Sequence, residues 1–172
     1  MNTKYTIPAS WDDITVKQFE DIVKLNSLKE TFETETEFGL RVISILINAP
    51  YKELLQLNAN EFAAISESLE WSNKEIVPNN KNEYIIKGVK YAAITKYNSL
   101  SVGEAIDAEL IIKDSEPYQL LSNLIPLLIR KAVYKDKKWI AGEFDADNYK
   151  DNVEFLSNNL SITDVIHIKD FF

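Results

Sequence analysis

The sequence predicts a mainly α-helical fold with a small β-hairpin or three-stranded sheet, and three observations carry that expectation. Two stretches follow one helix-starting pattern: Trp11-Asp-Asp-Ile14-Thr15-Val16-Lys-Gln18-Phe19-Glu-Asp21 and Tyr97-Asn-Ser-Leu100-Ser101-Val102-Gly-Glu104-Ala105-Ile-Asp107. In each, a hydroxyl residue can accept from a free N–H of the first turn while Gln18 or Glu104, three residues on, reaches back to the cap's own N–H. Gly (4) and Pro (5) are scarce, which leaves little material for many tight turns. Between the two capped starts the hydrophobic period changes to two, over Tyr84–Tyr91.

In chain order, Lys4–Ile7 alternates polar and apolar before Pro8 and suits a short edge strand or extended arm. Thr15 opens a helix whose inner face is Val16, Phe19, Ile22 and Val23. Leu28–Thr36 is an acidic connection, and Phe38–Asn48 is an apolar helix expected to be buried on several sides. Asn48-Ala-Pro50 stops it. A short helix at Tyr51–Leu57 precedes one capped by Asn58 or Asn60, with Phe62, Ile65 and Leu69 facing inward. Ser72–Asn82 is the best internal boundary, since Val77-Pro78-Asn79-Asn80-Lys81-Asn82 is polar and cannot easily continue a helix.

The hairpin follows at 83–94, turning at Lys87-Gly88. Two strands alone are marginal, so Lys4–Ile7 is the expected third. Ser101 caps the next helix, and Tyr118–Val133 reads as a strongly apolar helix kinked or broken at Pro126. Lys135–Lys138 reads as a charged turn. Val153, Phe155 and Leu156 begin another helix, and Ser161 or Thr163 caps a last one. The order suggests a single compact domain over 1–172, divisible into two helical halves (10–77 and 96–172) joined by the hairpin. The two patterned starts read either as an internal duplication of a capped helical unit or as unrelated helix starts obeying the same capping rules.

Charge narrows the partners. Lys and Arg number 19 against 27 Asp and Glu, a net charge of −8, which repels a phosphate backbone. The local exception, Arg130-Lys131 with Lys135, Lys137 and Lys138, reads first as a solvated helix end, so no direct nucleic-acid contact is expected. No apolar run is long enough to span a bilayer, no signal-peptide core is present, and there is no cysteine. A soluble protein of a reducing cytoplasm, without a membrane partner, is the expectation.

The sequence offers no constellation for chemistry. His167 is the single histidine and cannot supply a two-histidine metal site. Asp145-Ala-Asp147-Asn148 lacks the Gly and closing Glu of a calcium loop. The glycines are isolated, so there is no phosphate-cradling loop, and the serines lack a Gly-flanked elbow. No catalytic residue, cofactor or metal is therefore assigned. Aromatics are the more suggestive feature: Trp11 and Trp139 at the edges of elements, and Phe171-Phe172, which suits either the core or a partner anchor, are the candidate partner-binding residues.

The run Ile7-Pro-Ala-Ser-Trp11-Asp-Asp-Ile14-Thr15-Val16-Lys-Gln18-Phe19 resembles the opening of small proteins encoded in the morphogenesis regions of phages infecting Bacteroidota, including crAss-like phages. Leu100-Ser101-Val102-Gly103-Glu104 and the Phe171-Phe172 pair are similar to that group as well. The resemblance implies a non-enzymatic virion component or assembly chaperone at the tail, neck or portal. Its partners would be other phage structural proteins or further copies of itself, in the bacterial cytoplasm or in the particle. A cellular adaptor domain, and an enzyme with an unrecognised carboxylate site, are the alternatives.

Overall fold

The computed structural model describes residues 4–171, with side chains to Ile168. Helices α1 (Val16–Ser27), α2 (Glu35–Leu46), α3 (Tyr51–Leu54) and α4 (Ala59–Ser68) precede strands β1 (Glu83–Ile86) and β2 (Val89–Ala93). Then come α5 (Val102–Asp114), α6 (Leu120–Leu128), β3 (Ile129–Lys135), β4 (Lys138–Ala141), α7 (Tyr149–Asn159) and α8 (Ile162–Val165). The mainly helical expectation with one small sheet stands.

The caps form as the side chains dictate. Thr15, Asn58 and Ser101 each complete a reciprocal capping box with Gln18, Glu61 and Glu104, and Ser161 caps α8 through the Thr163 amide. The two patterned stretches nevertheless enter different surroundings. Ile14 and Val16 are fully buried, whereas Leu100 is only partly covered and Val102 is 80% exposed.

What buries the first stretch is a pairing the linear pattern does not announce. Thr15 and Ser161 form an isolated antiparallel bridge: Val16 N–H donates to Leu160 O at 3.0 Å and Ile162 N–H to Ile14 O at 2.8 Å. Two helix caps thus lie side by side, with Ile14, Val16, Leu160 and Ile162 all in the core. A polar junction seals the edge. Thr163 Oγ1 donates to Asp12 Oδ1 at 2.5 Å, and Asn79 Nδ2 bonds Asp12, Thr163 and Asp164. Lys81 pairs with Asp164 at 2.9 Å.

The sheet has four antiparallel strands in the order β1-β2-β3-β4, not two or three. Its third and fourth strands come from 129–141, which the sequence assigned to a helix end and a charged turn, while Lys4–Ile7 lies outside the sheet. The helix expected over Tyr118–Val133 stops at Leu128, shortly after Pro126, which is buried inside α6. Both turns use two residues with positive φ: Lys87 (48°) with Gly88 (80°), and Asp136 (51°) with Lys137 (65°). Such turns match the twist of antiparallel strands. With Tyr91 opposite Lys131, both turns lie at the same end of the sheet.

One hydrophobic cluster runs from Ile14 to Ile168. α6 lies at its centre, with Leu124, Ile125, Leu127 and Leu128 essentially inaccessible and α5, α7 and α1 packed around it. α6 has no side-chain cap of its own. Instead Glu20 of α1, itself buried, accepts from Ser122 N–H at 2.9 Å, and burial raises its pKa against the opposing pull of that bond. At the other end Ile94 N–H donates to Leu128 O at 2.7 Å and Arg130 Nε to Leu127 O at 2.8 Å. α2, in contrast to the expectation of burial on several sides, sinks only Ile43 and Leu46 fully. Its remaining apolar side chains are half-covered because it packs against α1 and α3 at the periphery.

The contrast between the two stretches is measurable. Val16→Ala should cost roughly 2 kcal/mol, two buried methyls plus a residual cavity, whereas Val102→Ala should stay within about 0.5 kcal/mol. Urea unfolding of both variants reads the difference; equal costs would mean that the two starts are packed alike.

Candidate interaction surface

The inner face of the sheet, carrying Tyr84, Ile86, Tyr91 and Ile129, turns to the core, and Phe155 of α7 stacks on Tyr91 at 6.3 Å. The strand period places Glu83, Ile85, Lys90, Ala92, Arg130, Tyr134 and Trp139 on the opposite face. Pairing of β2 with β3 stops at Tyr91–Lys131, so the outer half of the second hairpin pairs only within itself.

At that free end Tyr134 and Trp139 sit directly opposite each other, ring centroids 5.3 Å apart, and are 63% and 41% exposed. Lys90 lies 4.9 Å over the Trp139 ring and pairs with Glu83 at 2.8 Å. Around the turn Lys135, Lys137 and Lys138 are exposed, with Asp136 as the interposed acid. Val89 and Val133 add further open apolar surface.

The base of the hairpin is held by an ion pair between buried Arg130 and partly buried Glu104. Arg130 donates through Nη1 to Glu104 Oε1 at 2.6 Å and to Gly142 O at 3.2 Å, with the guanidinium 5.6 Å over the Phe144 ring. Its Nη2 is buried without a hydrogen-bond partner among the described residues. Glu104 is also the capping-box acid of α5, bonding Ser101 N–H at 2.7 Å. Burial pushes its pKa up, but the Ser101 bonds and Arg130 outweigh burial and leave it lowered. One carboxylate therefore joins the start of α5 to β3. Gly142 closes the hairpin; a Cβ there would meet Lys131 O at 2.8 Å.

The other candidate aromatics are placed differently. Trp11 packs edge-on against Trp71 (5.2 Å) and Phe19 (6.1 Å) and donates Nε1 to Lys74 O, so its ring is engaged within the molecule. Phe171 closes the last helical turn with its side chain outside the described residues, and Phe172 lies outside them altogether. The sequence reading placed the Ser101-capped helix α5 but not its exposed stripe, where Val102, Ile106 and Leu110 recur every fourth residue. An apolar pattern whose buried face is instead Ala108 was the signal for it.

Titratable groups elsewhere have structural roles. Bonds from Thr163 and then Asn79 lower the pKa of Asp12, so its contribution to stability holds above the ordinary Asp value of 3.8 and fades as pH falls through the lowered one. Burial pushes the Tyr84 phenol up to about 12. A depression of 630 Å³ beside α1 is bordered by Asp13 and Asp21, but Asp13 accepts from Ala9 N–H and Asp21 pairs with Lys17. Among the described residues no group of three or more His, Cys, Asp or Glu could hold a metal ion. No described helix is long and apolar enough to cross a membrane. No family model, curated protein or solved structure matches the chain.

Removing one partner of the Arg130–Glu104 pair should be costly. Glu104→Ala is expected to destabilise by about 2–3 kcal/mol at neutral pH, because Arg130 stays buried without its counter-charge while the Glu104 side is partly open to solvent. Glu104 has a lowered folded pKa, so its stabilisation is present above the ordinary Glu value of 4.5 and lost as pH falls through the folded one. The difference between wild type and variant in urea unfolding should shrink across that window. A cost below about 1 kcal/mol at neutral pH would mean that Arg130 is solvated in the variant.

Proposed function

We propose that the chain is a non-enzymatic morphogenesis protein of a bacteriophage infecting Bacteroidota, acting through protein–protein contacts at the tail, neck or portal. The observation that carries the contact-making role is the free end of the second hairpin, which presents Tyr134 and Trp139 to solvent on a rigidly anchored base. Exposed aromatic surface flanked by charge is what a partner face requires: apolar area at the centre and polar groups at the rim. The carboxylates bordering the depression beside α1 hold local structure, which supports a contact-making rather than a chemical role. The phage assignment rests on the resemblance of Ile7–Phe19 and Leu100–Glu104.

In this reading the protein works in the host cytoplasm, either entering the particle or chaperoning tail or neck assembly. Its partners are other structural proteins of the phage or copies of itself, without direct contact to nucleic acid or membrane. The test is deletion of the gene from the phage that carries it, combined with mass spectrometry of purified particles and electron microscopy of the lysate. Peptides of the chain in the particle identify a virion component. Their absence, together with accumulation of unjoined heads or incomplete tails in the deletion, identifies a chaperone. Normal, infectious particles made without the gene would overturn the proposal.

A further inference from the structure

Two surfaces of this chain carry an excess of opposite charge that no ion pair among the described residues neutralises. Lys135, Lys137 and Lys138 at the hairpin end make no ion pair among the described residues. Glu30, Glu33 and Glu35, between α1 and the start of α2, are exposed and equally unpaired among the described residues. Glu37, a little further on, is different, being held by Arg41 at 2.9 Å. Each surface also has an open apolar side chain beside its charges: Val133, 47% exposed and on the same strand face as Lys135 and Lys138, and Leu28, 46% exposed, ahead of the glutamates.

We infer that the hairpin end of one molecule docks on the 28–35 connection of a second copy of this chain. Three ammonium groups then face three carboxylates and set the register, while Val133 and Leu28 supply apolar area at the contact. A symmetric hairpin-to-hairpin dimer is disfavoured, because it would place the lysines against one another. The contact joins two different surfaces, so it is head-to-tail, and it either closes into a ring or continues as a chain. A phosphate backbone fits this end less well. The whole chain is strongly acidic, with a net charge of −8, which repels a polyanion. The inference rests on the contact-making part of the proposed function and not on the phage assignment, and it is tested on the purified protein alone.

Sedimentation velocity of the full chain should show concentration-dependent association in about 50 mM salt, weakened about tenfold or more in about 500 mM salt as the charges are screened. The triple variant Lys135→Glu, Lys137→Glu, Lys138→Glu and the triple variant Glu30→Lys, Glu33→Lys, Glu35→Lys should each lose association by about a hundredfold. The lysine variant should keep the wild-type unfolding midpoint, because its three side chains are exposed. The glutamate variant should stay folded with a slightly lowered midpoint, because Glu35 lies in the first turn of α2. Mixing the two variants should restore association, since each then offers the surface that the other has reversed. A wild type that stays monomeric in low salt, variants that associate undiminished, or a mixture that fails to associate would each overturn the inference. A monomer that instead binds a single-stranded DNA oligonucleotide through the three lysines would overturn it in favour of nucleic acid. Any of these failures leaves the outcome of the particle experiment unaffected.

Discussion

The bridge between Thr15 and Ser161 is the constraint from which the rest of the fold is hung. Two backbone bonds join residues near opposite ends of the chain, and the four apolar side chains flanking the caps leave water together. Closing so long a loop carries an entropic cost that two hydrogen bonds would not offset alone. Burial of Ile14, Val16, Leu160 and Ile162 supplies the larger share, at roughly 1.5–3 kcal/mol for each fully buried side chain. Once the bridge fixes α1, Glu20 is in place to receive the Ser122 amide and set the start of α6. α6 in turn runs without a linker into β3, where Arg130 meets Glu104. The positions of the hairpin and of α5 therefore follow from contacts that begin at the bridge.

Burying two carboxylates along this route has opposite electrostatic consequences. Glu20 is desolvated more than its neutral partner Ser122 can offset, and its charged form is disfavoured. Glu104 is partly buried too, but a capping amide and a guanidinium outweigh that burial and keep it ionised more readily than a free Glu. The difference lies in the number and charge of donors that each reaches. It also explains why the outer hairpin can project beyond β2: its base is held by a charged bond, a helix cap and the close approach of Gly142 to Lys131, not by further strand pairing.

Local signals in the sequence were legible wherever a residue acts within its own turn. Thr15, Asn58, Ser101 and Ser161 cap as their spacing foretells, and Lys87-Gly88 turns the first hairpin. The second hairpin was hidden because Asp136-Lys137 adopts left-handed geometry without a glycine, and because the apolar run from Leu120 passes from helix to strand with no punctuation except Pro126. Lys4–Ile7 alternates like a strand but joins neither edge of the sheet. At the candidate surface, Trp139 was legible as an edge aromatic, whereas its partners Tyr134 and Lys90 become visible only once register is known. The tertiary cap by Glu20 and the Arg130–Glu104 pair join residues far apart in the chain, and no local pattern encodes them.

Amide hydrogen exchange resolved to single residues tests most directly whether the bridge is the structural root and the outer hairpin a separately mobile end. The Val16 and Ile162 amides, which donate across the bridge, are expected to exchange only through global unfolding. Amides of the distal hairpin, from Val133 to Ile140, are expected to exchange through local opening at a clearly lower free energy. Rapid exchange at Val16 and Ile162 while α6 stays protected would contradict the claim, since the core would then persist without the bridge.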